Sequence, residues 1–519
     1  MGDKLDVSSN DMLMWWEQDG VTKLAVLYIE SFGNPRKFAR TARRVAARMP
    51  VLAVQAGRSQ AGQRAAASHT AAAATPWVTR EALFDQAGIV AVPGFGDLIE
   101  TAALLATQPV PKGTTVAVVS NIGGAGVLAA DACTDLGLTV HRPHLLTRHR
   151  LRALIPPGGA DAGPIDTTAA VSAGQFRKCL ELAAADEAVS AMIVLALPTG
   201  ATGDIVAAIQ QADIRVPLAA VLLDQTETLR LLPKADDGRQ IPAYAYPEAA
   251  AAAVARAARY GAWRAAPRGV VPKLAGIRGD EARALVHEFL GTGEGGWLPP
   301  EVAAALLRCY GIPLAALVPA ASEDEAVAAY AAGGGVPVVL KADVPGLVHK
   351  TDAGGVELDL RTEADVCAAY RRLEERFGGK LRAILVQPMI SDGTEVIVGV
   401  ADDHLFGPLV VFGLGGVATE VLADHAARLT PLTDVDADTL IRSIRSAPLL
   451  LGHRGSPAAD LGALRDLLLR VSRLADDLPE VTDLDLNPVI ARPDGVFVVD
   501  ARVKVAPYAP RDPFLRRLR

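Results

Sequence analysis

Residues 23–55, KLAVLYIESFGNPRKFARTARRVAARMPVLAVQ, decide the fold. Lys23–Glu30 is an apolar, β-rich run that reads as a buried strand. Arg36–Met49 reads as an amphipathic helix and Val51–Gln55 as the next strand. Strand, helix and strand at this spacing make the unit of a parallel sheet with helices on its faces. The pattern continues outward through a helix at Thr79–Ala87, a strand at Ile89–Val92 and a helix at Leu98–Thr107. Pro109–Gly113 punctuates the chain, and the pattern restarts with the strand Thr115–Ser120. A Gly-rich turn at Asn121–Gly126 and a helix from Val127 to Gly137 follow. Ala191–Ala196, Leu218–Leu223 and Ile241–Tyr246 are further strands, and an Ala-rich helix runs from Pro247 to Ala265. The expectation is two adjacent doubly wound α/β domains, at 21–110 and 111–265.

Residues 266–296 are richer in Gly, Pro and charge and read as a linker with a short helix. From Trp297 the character changes. Helical Pro300–Gly311 leads into Pro337–Ala342 and a long Gly-rich loop. Ile384–Met389 and Glu395–Val400 look like antiparallel strands, and Asp483–Ile490 with Val496–Ala501 like a late hairpin. Residues 297–519 are therefore read as an α+β domain.

The chain has 519 residues, 50% of them hydrophobic and 21% charged, enough to fill several cores. At about 150 residues per domain, three to four units are expected. A net charge of −7 lacks the basic excess of a general nucleic-acid binder. Four scattered cysteines include no CxxC pair and read as small core residues. The N-terminus carries no basic and apolar leader pattern, and no run reaches the roughly 18–20 apolar residues of a membrane span. A cytoplasmic location, with no membrane partner, is the expectation.

Four constellations carry the chemistry. In the first, small residues surround His69 within Gly57–Thr70, after a strand, where open α/β sheets place ligands. A capping or surface histidine is the plain alternative. In the second, Asn121, Gly123, Gly124 and Gly126 open a helix whose amides could approach an anion, although glycines at such turns also serve sterics alone. In the third, Lys341 on a strand precedes His349, which lies between Pro345-Gly346 and Gly354-Gly355. The lysine could reach a nucleotide phosphate, and the glycines offer hinges. In the fourth, Asp483, Asp485 and Asn487 are followed by Asp500. Asn487 and Asp500 could give hard oxygen ligands to Mg²⁺ held with phosphates, and turn chemistry is the competing reading.

Together these motifs resemble the NDP-forming acyl-CoA synthetases, the acetate–CoA ligase (ADP-forming) group related to succinyl-CoA synthetase. Gly57–Thr70 is similar to the phosphohistidine loop and Val339–Leu360 to the opening of the ATP-grasp domain. Phe412–Gly416 with Glu420, Leu484–Val489 and Val499–Arg502 match later segments. The resemblance implies two flavodoxin-like domains followed by an ATP-grasp domain. It implies that His69 takes a phosphoryl group, that Glu30 orients it and that His349 relays it to ADP. It places Lys341, Gln387, Met389 and Glu395 at the nucleotide, Asn487 and Asp500 at magnesium, and Asn121–Gly126 facing the phosphohistidine. The implied reaction joins acyl-CoA, phosphate and ADP to carboxylate, coenzyme A and ATP.

Residues 1–20 resemble the tail of the CoA-binding domain with which the family begins, so such a domain is expected upstream or in trans. A homo-oligomer is a further expected partner. The rival reading is an acyl-CoA- or nucleotide-sensing portion of a GNAT-type lysine acetyltransferase. A dinucleotide-binding oxidoreductase is a weaker third, because no clean GxGxxG follows the first strand.

Overall fold

Apolar runs between turn residues become parallel strands in the N-terminal half, as their β-branched content favours. The computed structural model describes residues 7–29, 32, 35–54, 77–200, 202–234, 238–291, 293–344, 353–403, 406–416 and 424–508. The chain divides into two units, Met1–Pro267 and Arg268–Arg511.

In the first unit, Ala25–Tyr28, Val51–Val54 and Val90–Val92 form a parallel sheet in chain order. A second sheet has the spatial order Thr139–Val140, Thr115–Ser120, Ala191–Ala196, Leu218–Leu222, Gln240–Tyr244 and Leu229–Pro233. Its strands are parallel except the last pair. Ala191–Ala196 and Leu218–Leu222 are buried at every position, because helices cover both faces.

The two sheets share one hydrophobic cluster. Leu52 and Val92 of the first join Val116 and Val118 of the second through the helix Pro247–Ala265. The Tyr260 hydroxyl of that helix donates to the Ala46 carbonyl at 2.7 Å. The change of pattern near residue 110 is thus no break in packing. The N-terminal stretch also belongs to this unit. Ser9–Gln18 is a helix opened by a Ser8–Asp11 capping box. Its Leu13 is fully buried, and Glu17 pairs with Arg44 and Arg48 at 2.8 and 3.2 Å.

The second unit holds two antiparallel sheets. The smaller runs Val318–Ala320, Ala383–Pro388, Val338–Asp343, Val356–Leu360. The larger runs Gly296–Trp297, Ala501–Val505, Val481–Arg492, Thr394–Asp403, Gly407–Leu414, His425–Leu429, with Gly495–Val498 added to Val481–Arg492. Side chains alternate across a strand. Leu340, Ala342, Ile384 and Val386 therefore pack under the helices of the smaller sheet, and Lys341 and Gln387 face the other way.

The expected linker at 266–296 is partly core. Its helix Gly279–Leu290 buries Ala282 and Val286 in the large cluster of this unit. Of the two hinge ends expected around His349, one is anchored. Gly354 has φ +66°, and Arg376 donates to its carbonyl at 2.8 Å. Gly355 accepts from the Ala342 amide at 2.8 Å, which ties it to the ladder. Cys133, Cys179 and Cys309 are buried and unpaired, as small core residues are.

Candidate functional site

The smaller sheet sets Lys341 and Gln387 diagonally on one face, since Val339 pairs with Gln387 and Lys341 with Leu385. Both side chains are buried, and both reach one acceptor. The Lys341 ammonium donates to the Val499 carbonyl at 3.0 Å and the Gln387 amide nitrogen at 3.1 Å. A carbonyl can only accept, so the amide must turn its nitrogen to Val499. Among the described residues its oxygen is then left buried with no partner. A buried acceptor without a donor costs about 1–3 kcal/mol, so a ligand that brings a donor would relieve it.

Val499 lies in the turn between Gly495–Val498 and Ala501–Val505, next to Asp500. The Asn487 amide donates to the Asp500 carbonyl at 3.2 Å, so the two residues stand side by side. One cleft is lined by Lys341, Leu385, Leu317, Arg308, Val499 and Asp500. Its lining sets apolar side chains beside the charges of Lys341, Arg308 and Asp500. Four of the residues expected at the nucleotide and metal therefore converge. Met389 and Glu395 are placed by backbone bonds. The Met389 amide donates to the Pro337 carbonyl at 2.7 Å, and the Glu395 carbonyl accepts from Gly415 at 2.8 Å.

Asn487 and Asp500 fit Mg²⁺ by donor chemistry. Each presents a hard oxygen, and Mg²⁺ commonly takes one or two protein oxygens with the rest from phosphate and water. Among the described residues no group of three or more His, Cys, Asp or Glu could hold a metal. Burial pushes the neighbouring Asp485 carboxyl up, Arg502 opposes this, and Asp483 and Asp500 add to it.

The Gly-rich turn departs from expectation. The helix begins at Gly123, so the glycines form its first turn instead of a loop before it. Asn121 is fully buried and spent on structure. Its amide oxygen accepts from the Leu197 nitrogen and its nitrogen donates to the Leu197 carbonyl, both at 2.9 Å. It is a latch between neighbouring strand ends, not an anion contact. An added Cβ at Gly123 would meet the Asp166 carboxylate at 2.7 Å, so one of them would have to shift, and one at Gly126 would stand a tight 3.3 Å from the Ser120 Cβ. Only Gly124 faces open space. Asn121→Ala is expected to destabilise the fold by about 1–3 kcal/mol. Urea unfolding checks this, and calorimetry should give an unchanged Mg·ADP affinity.

His69, Glu30, His349 and Glu420 lie outside the described residues. Sequence reasoning missed the Val499 carbonyl, which has no residue-type signal, and Asp166, forty residues downstream of the turn it faces. It named Asp485 only among the alternating acidic positions and gave Arg502, inside a quoted motif, no role.

Three domain families match in order. A succinyl-CoA ligase like flavodoxin domain covers residues 1–105, a Ligase-CoA domain 116–268 and an ATP-grasp domain 291–505. An acetate–CoA ligase [ADP-forming] I of Archaeoglobus fulgidus is 33% identical over 97% of this chain and 73% of its own length. A 4-hydroxybutyrate–CoA ligase [ADP-forming] of Nitrosopumilus maritimus is 29% identical with the same coverage. A solved structure from Candidatus Korarchaeum cryptofilum is 39% identical and covers 43% of this chain and 99% of its own, with a TM-score of 0.41. That protein is an acetyl-coenzyme A synthetase in complex with coenzyme A and Ca-AMPCP. With ordered domain matches and this identity along nearly its whole length, the chain belongs to the family of ADP-forming acetate–CoA ligases, which are acid–thiol ligases.

Proposed function

We propose that this chain interconverts acyl-CoA, phosphate and ADP with carboxylate, coenzyme A and ATP, through a phosphohistidine on His69. The observation that carries the reading is the meeting of Lys341, Gln387, Asn487 and Asp500 at residues 499–500, with the Gln387 oxygen buried and without a partner among the described residues. Lys341 and Gln387 hold the nucleotide, Met389 and Glu395 flank it, and Asn487 and Asp500 hold Mg²⁺. Magnesium bound there would neutralise charge on the phosphate oxygens.

Neutral imidazole is a good nucleophile near pH 7, and the Glu30 carboxylate on its other nitrogen fixes the tautomer. The helix start at Gly123 and Gly124 offers amides to the phosphorylated ring, and His349 carries the group to ADP. Coenzyme A is a substrate, so a CoA-binding domain, joined or in trans, is the partner this reading calls for. The acetyltransferase reading draws no support from the matches. Among the described residues no helix is long and apolar enough to cross a membrane. The unpaired cysteines fit a reducing, cytoplasmic setting.

Given Mg²⁺ and γ-labelled ATP, the chain is expected to acquire a covalent label that is acid-labile and base-stable, as phosphoramidates are. A chain that binds Mg·ADP and never labels removes the reading.

A further inference from the structure

The register of the larger sheet gathers a charged face that the roles above leave unused. Leu484, Leu486, Val503 and Val505 are buried in the core. The alternate residues Asp483, Asp485 and Asn487, with Arg502 and Lys504, therefore share the opposite face. Asp485 stands directly across from Arg502, and Asp483 across from Lys504. One step on, Asn487 and Asp500 are joined by their backbone bond at 3.2 Å. Arg502 is thus two residues from Asp500, on the face of both candidate magnesium ligands. It is half-buried, yet among the described residues its guanidinium makes no hydrogen bond or ion pair. Five fixed donors beside a magnesium site, with no anion on them, match the planar oxygens of a phosphoryl group.

We infer that Arg502 is a catalytic residue that stabilises the phosphoryl group in flight between ATP and the histidine, and that Asp485 positions it. The inference rests on the proposed function. In that step the lone pair of an imidazole nitrogen forms the N–P bond. The bond from the γ-phosphorus to the bridging oxygen breaks, and its electron pair leaves on ADP. The proton on the other ring nitrogen passes to solvent. Negative charge spreads over the three peripheral oxygens of the transferring group, and a guanidinium there acts in the transition state more than on bound ADP. Asp485 lies within electrostatic range of Arg502 and has Asp483 and Asp500 as its other charged neighbours. Its carboxylate biases the arginine towards this face without capturing it in an ion pair.

Three variants test this: Arg502→Met, Arg502→Lys and Asp485→Asn. Calorimetry measures Mg·ADP affinity with and without fluoroaluminate, a mimic of the transferring phosphoryl group, and γ-labelled ATP measures the labelling rate. Arg502→Met is expected to keep Mg·ADP affinity within about threefold, lose the tightening by fluoroaluminate and slow labelling by about 100-fold or more. Arg502→Lys should restore part of both. Asp485→Asn should slow labelling less, with the ATP concentration for half-maximal rate unchanged. Wild-type labelling in Arg502→Met overturns the inference. So does a loss of Mg·ADP affinity as large as the loss of rate, which would make Arg502 a ground-state anchor. If Arg502→Met fails to fold, Arg502→Lys decides, and normal labelling with normal tightening there overturns the inference. A wild type that binds Mg·ADP without labelling overturns the proposed function itself.

Discussion

His69→Ala is expected to strip the acid-labile label from the tryptic peptide of residues 65–80, AAASHTAAAATPWVTR, completely. The peptide has a single histidine, so mass spectrometry reads the site directly. Removing a nucleophile usually costs more than about 1,000-fold in rate, because a neighbour seldom substitutes for it. Serine and threonine in the same peptide are poor nucleophiles at neutral pH without a base. Their phosphoesters would also survive acid, so the chemistry of any residual label identifies its carrier. His141 lies outside this peptide, so mapping separates it from His69. Total label should fall by more than about tenfold, because a phosphoryl group confined to His349 stays in exchange with bound nucleotide. What remains should sit on the peptide of residues 342–350, ADVPGLVHK. A label that persists on residues 65–80, or one that is acid-stable, rules out His69 as the acceptor.

His349→Ala should produce the complementary defect. Label on His69 should fall by more than about 100-fold, while Mg·ADP affinity stays within about twofold. Lys341, proposed to hold nucleotide, and Asp500, proposed to hold Mg²⁺, belong to the second unit, and His69 to the first. An N–P bond forms only when nucleophile and phosphorus come within roughly 3–3.5 Å. The proposed carrier is His349, which follows the Lys341 strand by a few residues. Single-turnover labelling with peptide mapping checks this, and calorimetry on the same protein separates binding from transfer. If His349→Ala labels His69 at the wild-type rate, the phosphoryl group passes directly and the relay is removed.

Much of this was legible in the sequence because parallel strands announce themselves. A strand buried on both faces is an unbroken apolar run, so Ala191–Ala196 was read at its observed limits, and the helix Pro247–Ala265 likewise. The strand Leu229–Pro233 was not read. It is an antiparallel edge with Leu231 and Pro233 exposed, so neither continuity nor alternation marks it. The helix Gly279–Leu290 falls inside the expected linker, since only Ala282 and Val286 are fully buried and Leu285, Phe289 and Leu290 pack partly buried against the core. At the site, residue types pointed to Lys341, Asn487 and Asp500, because hard oxygens and a strand lysine have few uses. The partner of Asn121 is 76 residues away, so no local pattern could tell a latch from an anion contact. Arg502 needed the strand register before its place beside Asp500 and opposite Asp485 could be known.

The hydrophobic clusters of the described residues respect one boundary, between Pro267 and Arg268, and ignore the one near residue 110. This has a meaning for the gene as well as for the fold. A crossover, an insertion or a new start codon at the first boundary would divide no shared core, so each half would inherit its own apolar interior intact. The same event near residue 110 would part Leu52 and Val92 from Val116 and Val118 and leave both fragments with raw apolar faces. Shuffling or splitting of such chains during descent is therefore favoured at one seam and selected against at the other, whatever chemistry the halves perform.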